Sequence, residues 1–576
     1  MDLLEQCQLW LEEQNYLRII EAIELIPQSS RSSDENLLLA QAYNYYGVEC
    51  GDLGYIEKAC ETFASLRQHV QTTISFHRLY GDALFNKGDL ARALDQYLDA
   101  LRISKDDKSE QTQYLLDKAH DCIDQLSLLL GHDKQARGGF GQVCFETYKH
   151  KVKASWDNIL KVSSKVKDIF EEAVAQKKVT GTYGDSEDTV TLLTNALLVN
   201  KRFLVTFHND IGQVEVTFLS KGSIEELYEF LYLVLQCPDE LLYHNDWRFS
   251  IDKNPAKKPL CRNNLFTIKS VETKVVVLPP NNEYSKQVRL KVWSPSVSLY
   301  LNDEVRGPMV YEAMRDLVWY SLGQIAYLAL VEDIICVSDE YELTSSIYDE
   351  SVGVVTLDAL FDKLNEAGYN ASISAREYLK DFKLEYEDDG LTNDIQPMRA
   401  DVFFGYSSIP SSISEYCTFR HETFATRLDD GVVPGFLAIE FDRYDERIVP
   451  IECNEPDEYT CDGEVETLTN DTMAAQFSAI EEVFKEYFCS GPFATVHCTG
   501  TATGRKYFYI DFICYDLNPD FIKQLKKFVS SVSYIKSAFY APMCALIPPV
   551  FLTRATKKMK EQFNIRLEDY ILGKDL

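Results

Sequence analysis

Asn44-Tyr45-Tyr46-Gly47-Val48 and Arg78-Leu79-Tyr80-Gly81-Asp82 stand 34 residues apart, and their correspondence decides how the N-terminal part of the chain folds. At the same interval Ala59 and Phe63 recur as Ala93 and Tyr97, Gly54 recurs as Gly88, and Leu66 as Ala100. A fixed period of this length marks a repeated pair of helices. A small residue in the first helix and another in the second let the two approach closely. An aromatic then fills the groove between them. Apolar residues recur at helical spacing through the first 130 residues, with turn residues as punctuation.

The order small, small, aromatic in a 34-residue unit resembles the tetratricopeptide repeat. Tyr80 and Leu84 occupy further positions of that unit, while Lys105 stands where it often closes with proline. Leu3–Ile26 reads as a degenerate first hairpin, with Trp10, Leu11, Leu17, Ile20 and Ile23 as its apolar stripe and Pro27 as its stop. Glu110–Leu130 reads as a capping helix. The resemblance implies a concave groove lined by the first helix of each hairpin. Repeat register places Gln41, Asn44, Val48, Arg78, Asp82, Phe85 and Asn86 on it. Asn44, Arg78 and Asn86 suit a peptide backbone or carboxylate, with Arg78 as the charge partner.

Outward from this head the pattern changes. Gly131–Gly141 (GHDKQARGGFG) reads as a linker, and a long helix is expected over Val143–Lys178. Val190–Leu193, Phe203–Phe207, Val214–Leu219, Thr267–Lys269, Lys274–Leu278, Val288–Trp293 and Val297–Leu301 read as strands. Helices are expected from Ser223 to about Gln236 and over Tyr311–Val331. A second mixed segment starts near Ser346, with a helix at Thr356–Glu366. Asp401–Gly405, Phe424–Leu428, Gly435–Phe441, Phe493–Cys498 and Lys506–Ile513 read as strands there. Thr472–Phe488 and Pro519–Val529 read as helices, and Glu452–Glu466 as an exposed acidic loop. The expected architecture is multidomain: an all-α tetratricopeptide-like array over 1–131, then two α+β domains, 142–345 and 346–576, with mainly antiparallel sheets.

Composition narrows the partners. The 576 residues hold 58 Lys+Arg against 90 Asp+Glu, a formal charge of -32. Such a field repels phosphate backbones and favours basic partners, so nucleic acid is not expected. From Pro519 to Leu576 the balance reverses, with 10 basic and 5 acidic residues. Lys523, Lys526, Lys527, Lys536, Lys557, Lys558 and Lys560 there read as a solvated surface, since no aromatic stacking pattern accompanies them. The 15 cysteines are scattered without a CxxC pair, which reads as reduced thiols and a cytoplasmic setting. The acidic N-terminus resembles neither a signal nor a transit peptide. Leu317–Val331 and Ala538–Leu552 fall short of the ~20 apolar residues that span a bilayer, so no membrane is expected.

Candidate chemistry is sparse. Gly138-Gly139-Phe140-Gly141-Gln142-Val143 is like a kinase glycine loop, but no HRD or DFG follows, and it precedes a helical pattern. Gly500-Thr501-Ala502-Thr503-Gly504-Arg505-Lys506 is one residue short of a phosphate-binding loop and reads as a turn between strands. His421-Glu422 lacks the second histidine of a zinc helix, and no GxSxG elbow exists. Adjacent His497 and Cys498 point to opposite faces of a strand. Asp511 and Asp516, near Asp457 and Asp462, read as capping and solvating groups, and no metal or cofactor is expected. Asp511 inside an apolar strand must be paired or hydrogen-bonded if buried.

Three stretches together resemble a family of uncharacterised bacterial tetratricopeptide proteins: Arg78–Leu84 with its Ala93/Tyr97/Ala100 helix, Asp430–Phe436, and Gly500–Gly504 leading into Tyr509–Leu517. Asp246-Trp247-Arg248-Phe249 fits as well. In their repeat heads such proteins look similar to bacterial proteins carrying toxin-immunity-type domains. The resemblance implies a bacterial setting and no particular reaction. A binding protein for a basic protein or peptide therefore ranks first, with toxin neutralisation or defence as its concrete form. An enzyme of unrecognised family ranks last. Its site would gather Asp511, Asp516, His497 or Cys498 in a pocket, and no catalytic residue is assignable.

Overall fold

A computed structural model describes residues 3–555 apart from 68–72, 105–108, 131–134, 139–140, 176–182, 185–186, 209–211, 221–223, 244–245, 252–253, 263–264, 282–286, 304–305, 345–352, 388–398, 400, 442–474, 491–493 and 505. The acidic loop at 452–466, Asp457, Asp462, Lys105, Lys557, Lys558 and Lys560 therefore lie outside the described residues. Two compact units emerge. One joins Met1–Lys151 to Lys383–Leu576, and the other is Val152–Phe382. This division differs from the expected boundaries at 131/142 and 345/346. The strand Val354–Thr356 pairs with Lys274–Leu278, which ties residues beyond 345 into the sheet before it.

The first unit opens with helices α1 (Leu3–Glu12), α2 (Tyr16–Glu24), α3 (Ser33–Cys50), α4 (Leu53–Leu66), α5 (Ile74–Lys87), α6 (Leu90–Ile103) and α7 (Glu110–Leu130). Local chemistry sets their ends. Ser32 and Glu35 form a reciprocal capping box on α3, and Asp52, Thr73 and Asp89 cap α4, α5 and α6. Gly51 and Gly88 close α3 and α5 at positive φ, where a side chain is strained. Gly51, not Gly54, is thus the counterpart of Gly88, and Gly54 sits in the first turn of α4.

The small residues act as read from the sequence. A Cβ on Gly47 would sit 2.7 Å from Ile56, and one on Gly81 2.7 Å from the Tyr97 ring. The aromatic fills the void only in the second hairpin, and Ile56 takes that place in the first. Ala59, Phe63, Ala93, Tyr97 and Ala100 are all fully buried.

Next come β1 (Gln135–Gly138) and β2 (Gly141–Cys144), an antiparallel pair where a linker was expected. Gly138 thus ends one strand and Gly141 begins the next, where a linker ahead of a helix was expected. The helix expected from Val143 is α8 (Tyr148–Ala175).

The unit resumes with β3 (Leu384–Glu387), β4 (Val402–Ser407), α9 (Pro410–Cys417), α10 (Glu422–Asp430), β5 (Val433–Phe441), α11 (475–484), β6 (Val496–Gly504), β7 (Phe508–Cys514), α12 (Pro519–Ser531), β8 (Ile535–Pro542) and β9 (Val550–Phe551). The strands form one seven-stranded sheet in the order β3-β4-β6-β7-β5-β8-β9. Every pairing in it is antiparallel. Phe424–Leu428 (FATRL), read as a strand, lies in α10, because so short a segment does not separate strand from buried helix. Gly500–Gly504 is the end of β6, so it forms no phosphate loop.

All of β7 is buried, as is β5 except Glu440, because the central strands are covered on both faces. On one face Phe512 and Tyr540 stack with Phe484 of α11 and Phe521 of α12 around them. On the other, Phe436 and Tyr509 meet Tyr416 of α9.

The second unit holds two four-stranded sheets. One contains Phe203–His208, Gln213–Phe218 and Trp247–Ser250, and the other Lys274–Leu278, Val288–Trp293 and Val331–Cys336. Each has one parallel pair among antiparallel ones. Val190–Leu193 falls in the helix Glu187–Ala196, and Val297–Leu301 holds a single 3-10 turn at Ser298–Tyr300, so neither is the expected strand. The long apolar helix expected over Tyr311–Val331 is Arg306–Leu322, broken at Gly323 and followed by Gln324–Leu330. Among the described residues no helix is long and apolar enough to cross a membrane.

Candidate partner-binding cleft

The first helices of the two hairpins, with α2 and α7 beside them, enclose a cleft of about 430 Å³. Asn44, Val48, Asp82, Phe85 and Asn86 line it, as repeat register requires. Gln41 and Arg78 are not among its lining residues. Gln14, Tyr16, Tyr45, Glu49, Tyr114 and Lys118 complete the wall. The first four of these come from the degenerate hairpin and from a face of α3 next to the chosen one. Tyr114 and Lys118 come from α7, which as a mere cap offered no reason to be counted. Their four-residue spacing on one helix was the available signal.

The cleft's polar groups are held in place. Asn86 Nδ2 donates to Asn44 Oδ1 across the two helices at 3.0 Å. Asp82 Oδ1 accepts from the hydroxyls of Tyr97 and Tyr114, each at 2.8 Å, and Arg78 stands 3.9 Å from Oδ2. Burial still raises the Asp82 carboxyl above its usual range, against the lowering effect of those donors and of Arg78 and Lys118. Burial first, and then the Asp82 charge, push both tyrosine hydroxyls up, so they remain donors. Lys118 sits over the Phe85 ring at 4.3 Å, and Tyr16 packs against Tyr45 at 5.3 Å. Exposed Glu49 adds an unburied carboxylate at the rim.

The opposite side of the helical head docks on α10. The stripe Arg92, Asp95, Asp99 and Arg102 of α6, at helical spacing, carries the contacts. Arg92 donates to Asp429 (2.7 Å) and Thr426 (3.0 Å). Arg420 donates to Asp99 (2.6 Å), and Arg102 to the Phe419 carbonyl (3.2 Å). Asp95 receives both the backbone N–H (3.0 Å) and Nδ1 (2.7 Å) of His421. Beside this seam lies a second cavity of about 570 Å³, walled by Arg67, Tyr80, Arg92, Asp95, Gln96 and Glu422 among others.

An Asp, a His and a Cys do converge here, but not the expected ones. His421 is fully buried, with Asp95 on one side and Cys544 as its other electrostatic neighbour. Burial disfavours its charge, yet Cys544 and Asp95 together hold its pKa well above the ordinary histidine value. Cys544 has no exposed surface, so the arrangement is closed to a substrate.

Of the expected C-terminal residues, Asp511 and Asp516 are each taken up by an ion pair of their own. Asp511 is fully buried in a two-pronged ion pair with Arg399, with Nη2 to Oδ2 at 3.2 Å. Arg399 also lies over the rings of Phe436 and Tyr509. Asp516 pairs with Lys149 at 3.1 Å. Burial lowers His497 to about 4. No group of three His, Cys, Asp or Glu able to hold a metal ion occurs among the described residues. Arg399 escaped the sequence reading because a lone arginine outside any periodic segment gives no signal. Comparison with protein-family models, with curated proteins and with solved structures gives no match to this chain.

Proposed function

We propose that this chain is a non-enzymatic binding protein that holds a basic segment of a protein or peptide in the tetratricopeptide-like cleft of α2, α3, α5 and α7. The observation that carries this reading is the composition of one wall. Two bridged amides, Asn44 and Asn86, offer donors and acceptors for an extended backbone. The carboxylates of Asp82 and Glu49 and the faces of Tyr16, Tyr45 and Tyr114 suit a Lys or Arg side chain. The formal charge of -32 adds long-range attraction for a basic partner. Neutralising such a partner, in the manner of an immunity or defence protein, is the concrete form of this role.

The test is binding of the full chain to an array of Lys- and Arg-bearing peptides, followed by titration of the best ones. Glu49→Gln, at an exposed rim position, and Asn86→Ala, which also removes the donor to buried Asn44, should each weaken binding by roughly threefold to thirtyfold. Rising salt should weaken it further. Equal affinity in both variants, or no preference for basic over acidic peptides, overturns the reading.

A further inference from the structure

Outside the cleft, the sulfurs of Cys489 and Cys498 lie 3.4 Å apart. Cys489 ends a π-helical turn, Lys485–Cys489, that follows α11 directly. Such turns inside or after α-helices occur often at functional sites. Cys498 stands near the start of β6, where the register with β7 shifts between Cys498 and Gly500. A backbone hydrogen bond from Thr495 N to the Phe488 carbonyl (3.1 Å) holds the two stretches side by side. A disulfide requires about 2.05 Å, so the sulfurs need to close by only roughly 1.4 Å, within reach of side-chain rotation.

The surroundings make the pair unequal. The hydrogen bond from Cys498, and the Lys485 ammonium, lower the Cys489 thiol despite burial. The same hydrogen bond and burial raise Cys498 well above the ordinary value. Lys383 also interacts electrostatically with Cys498. By contrast, burial pushes Cys60, Cys237 and Cys336 up to about 12, where thiolate is scarce. Both residues are half-buried, whereas Cys60, Cys122 and Cys514 are sealed in the core.

We propose that Cys489 and Cys498 are a peroxide-oxidisable dithiol, with Cys489 attacking and Cys498 resolving, whose disulfide ties the end of α11 to β6. The Cys489 thiolate attacks one oxygen of hydrogen peroxide. The S–O bond forms as the O–O bond breaks, and the departing hydroxide takes a proton to become water. The Cys498 sulfur then attacks the Cys489 sulfenic acid. The S–S bond forms, the S–O bond breaks, and the leaving hydroxide takes the Cys498 proton as a second water. The two thiols lose two electrons in all, and the peroxide gains them.

The experiment exposes the reduced full chain to hydrogen peroxide and maps its peptides without reduction by mass spectrometry. A peptide carrying both Cys489 and Cys498, two hydrogens lighter than its dithiol form, should appear roughly tenfold faster than exposed Cys50 or Cys417 is modified. Dimedone added at early times to the unaltered chain should label Cys489 and leave Cys498 free. In Cys498→Ser the Cys489 label should accumulate, and in Cys489→Ser Cys498 should stay reduced. Absence of the linked pair, oxidation of Cys50 or Cys417 at an equal rate, or early labelling at Cys498 overturns the proposal. The dimedone and linkage readouts on the unaltered chain need no variant to fold.

Discussion

His421 Nδ1 lies 2.7 Å from Asp95 Oδ1, joining α10 to α6 across 326 residues of sequence. Both groups are buried, and the same carboxylate also accepts the His421 backbone N–H. This buried pair is one of the contacts that seat the helical head on α10 within the first unit.

That pairing makes stability depend on pH in a defined direction. A histidine whose folded pKa is raised contributes stability fully below its unfolded value, about 6.5, and loses it as pH rises through the folded value. The His421 pKa is held well above the ordinary one, with Cys544 and Asp95 outweighing burial. The stability gap between the unaltered chain and His421→Gln should therefore be widest below about pH 6.5 and narrow through the alkaline range. Chemical denaturation across pH checks this. A gap that widens with rising pH contradicts the assignment.

Removing one partner of the Arg399–Asp511 pair leaves a buried charge uncompensated. Asp511→Asn and Arg399→Met should each cost about 3–5 kcal/mol in urea unfolding. The double change Arg399→Met with Asp511→Leu should recover much of the loss, since an apolar pair of similar volume often replaces a buried ion pair without penalty. A double variant less stable than Arg399→Met alone would argue against direct coupling.

Gly431 closes α10 at φ 88°, and a Cβ there would sit 2.3 Å from the Glu146 carbonyl oxygen. Its own carbonyl accepts the Tyr148 N–H at 2.9 Å. Gly431→Ala should lower stability by more than the about 1–3 kcal/mol that an unfavourable backbone conformation alone costs. A thermal shift no larger than that of an exposed Gly368→Ala, where φ is also positive but the space is open, would sink this account.

Tyr97 is fully buried, and its hydroxyl is one of two donors to Asp82. Tyr97→Phe keeps the packing against Gly81 and removes the donor. It should cost about 1.5–3 kcal/mol, the range for a hydrogen bond to a charged group. Urea unfolding at neutral pH measures it.

Much of the head was legible in the sequence, because helix caps, small residues and period are local signals. Asn44, Asp82, Phe85 and Asn86 reached the cleft wall because helical register carries them there once the hairpins form. The errors have physical causes of their own. Val190–Leu193 and Phe424–Leu428 are segments of four and five residues, short enough to suit a half-buried helix as well as a strand. The 34-residue interval pairs Gly54 with Gly88, whereas α3 closes at Gly51 and Gly54 lies in the first turn of α4. Tyr114 and Lys118 were missed because their part in the cleft depends on where α7 packs.

The sequence alone determined the helical head, the antiparallel-rich sheets after it, and the need for Asp511 to have a partner. These follow from periodicity, turn chemistry and the cost of burying a charge, all local or compositional. Only the tertiary structure decided that Arg399 is that partner, that Asp95 and His421 meet, and that Cys489 and Cys498 align their sulfurs. Such pairs join residues as far as 326 positions apart, and no spacing rule reaches them, because packing alone brings them together.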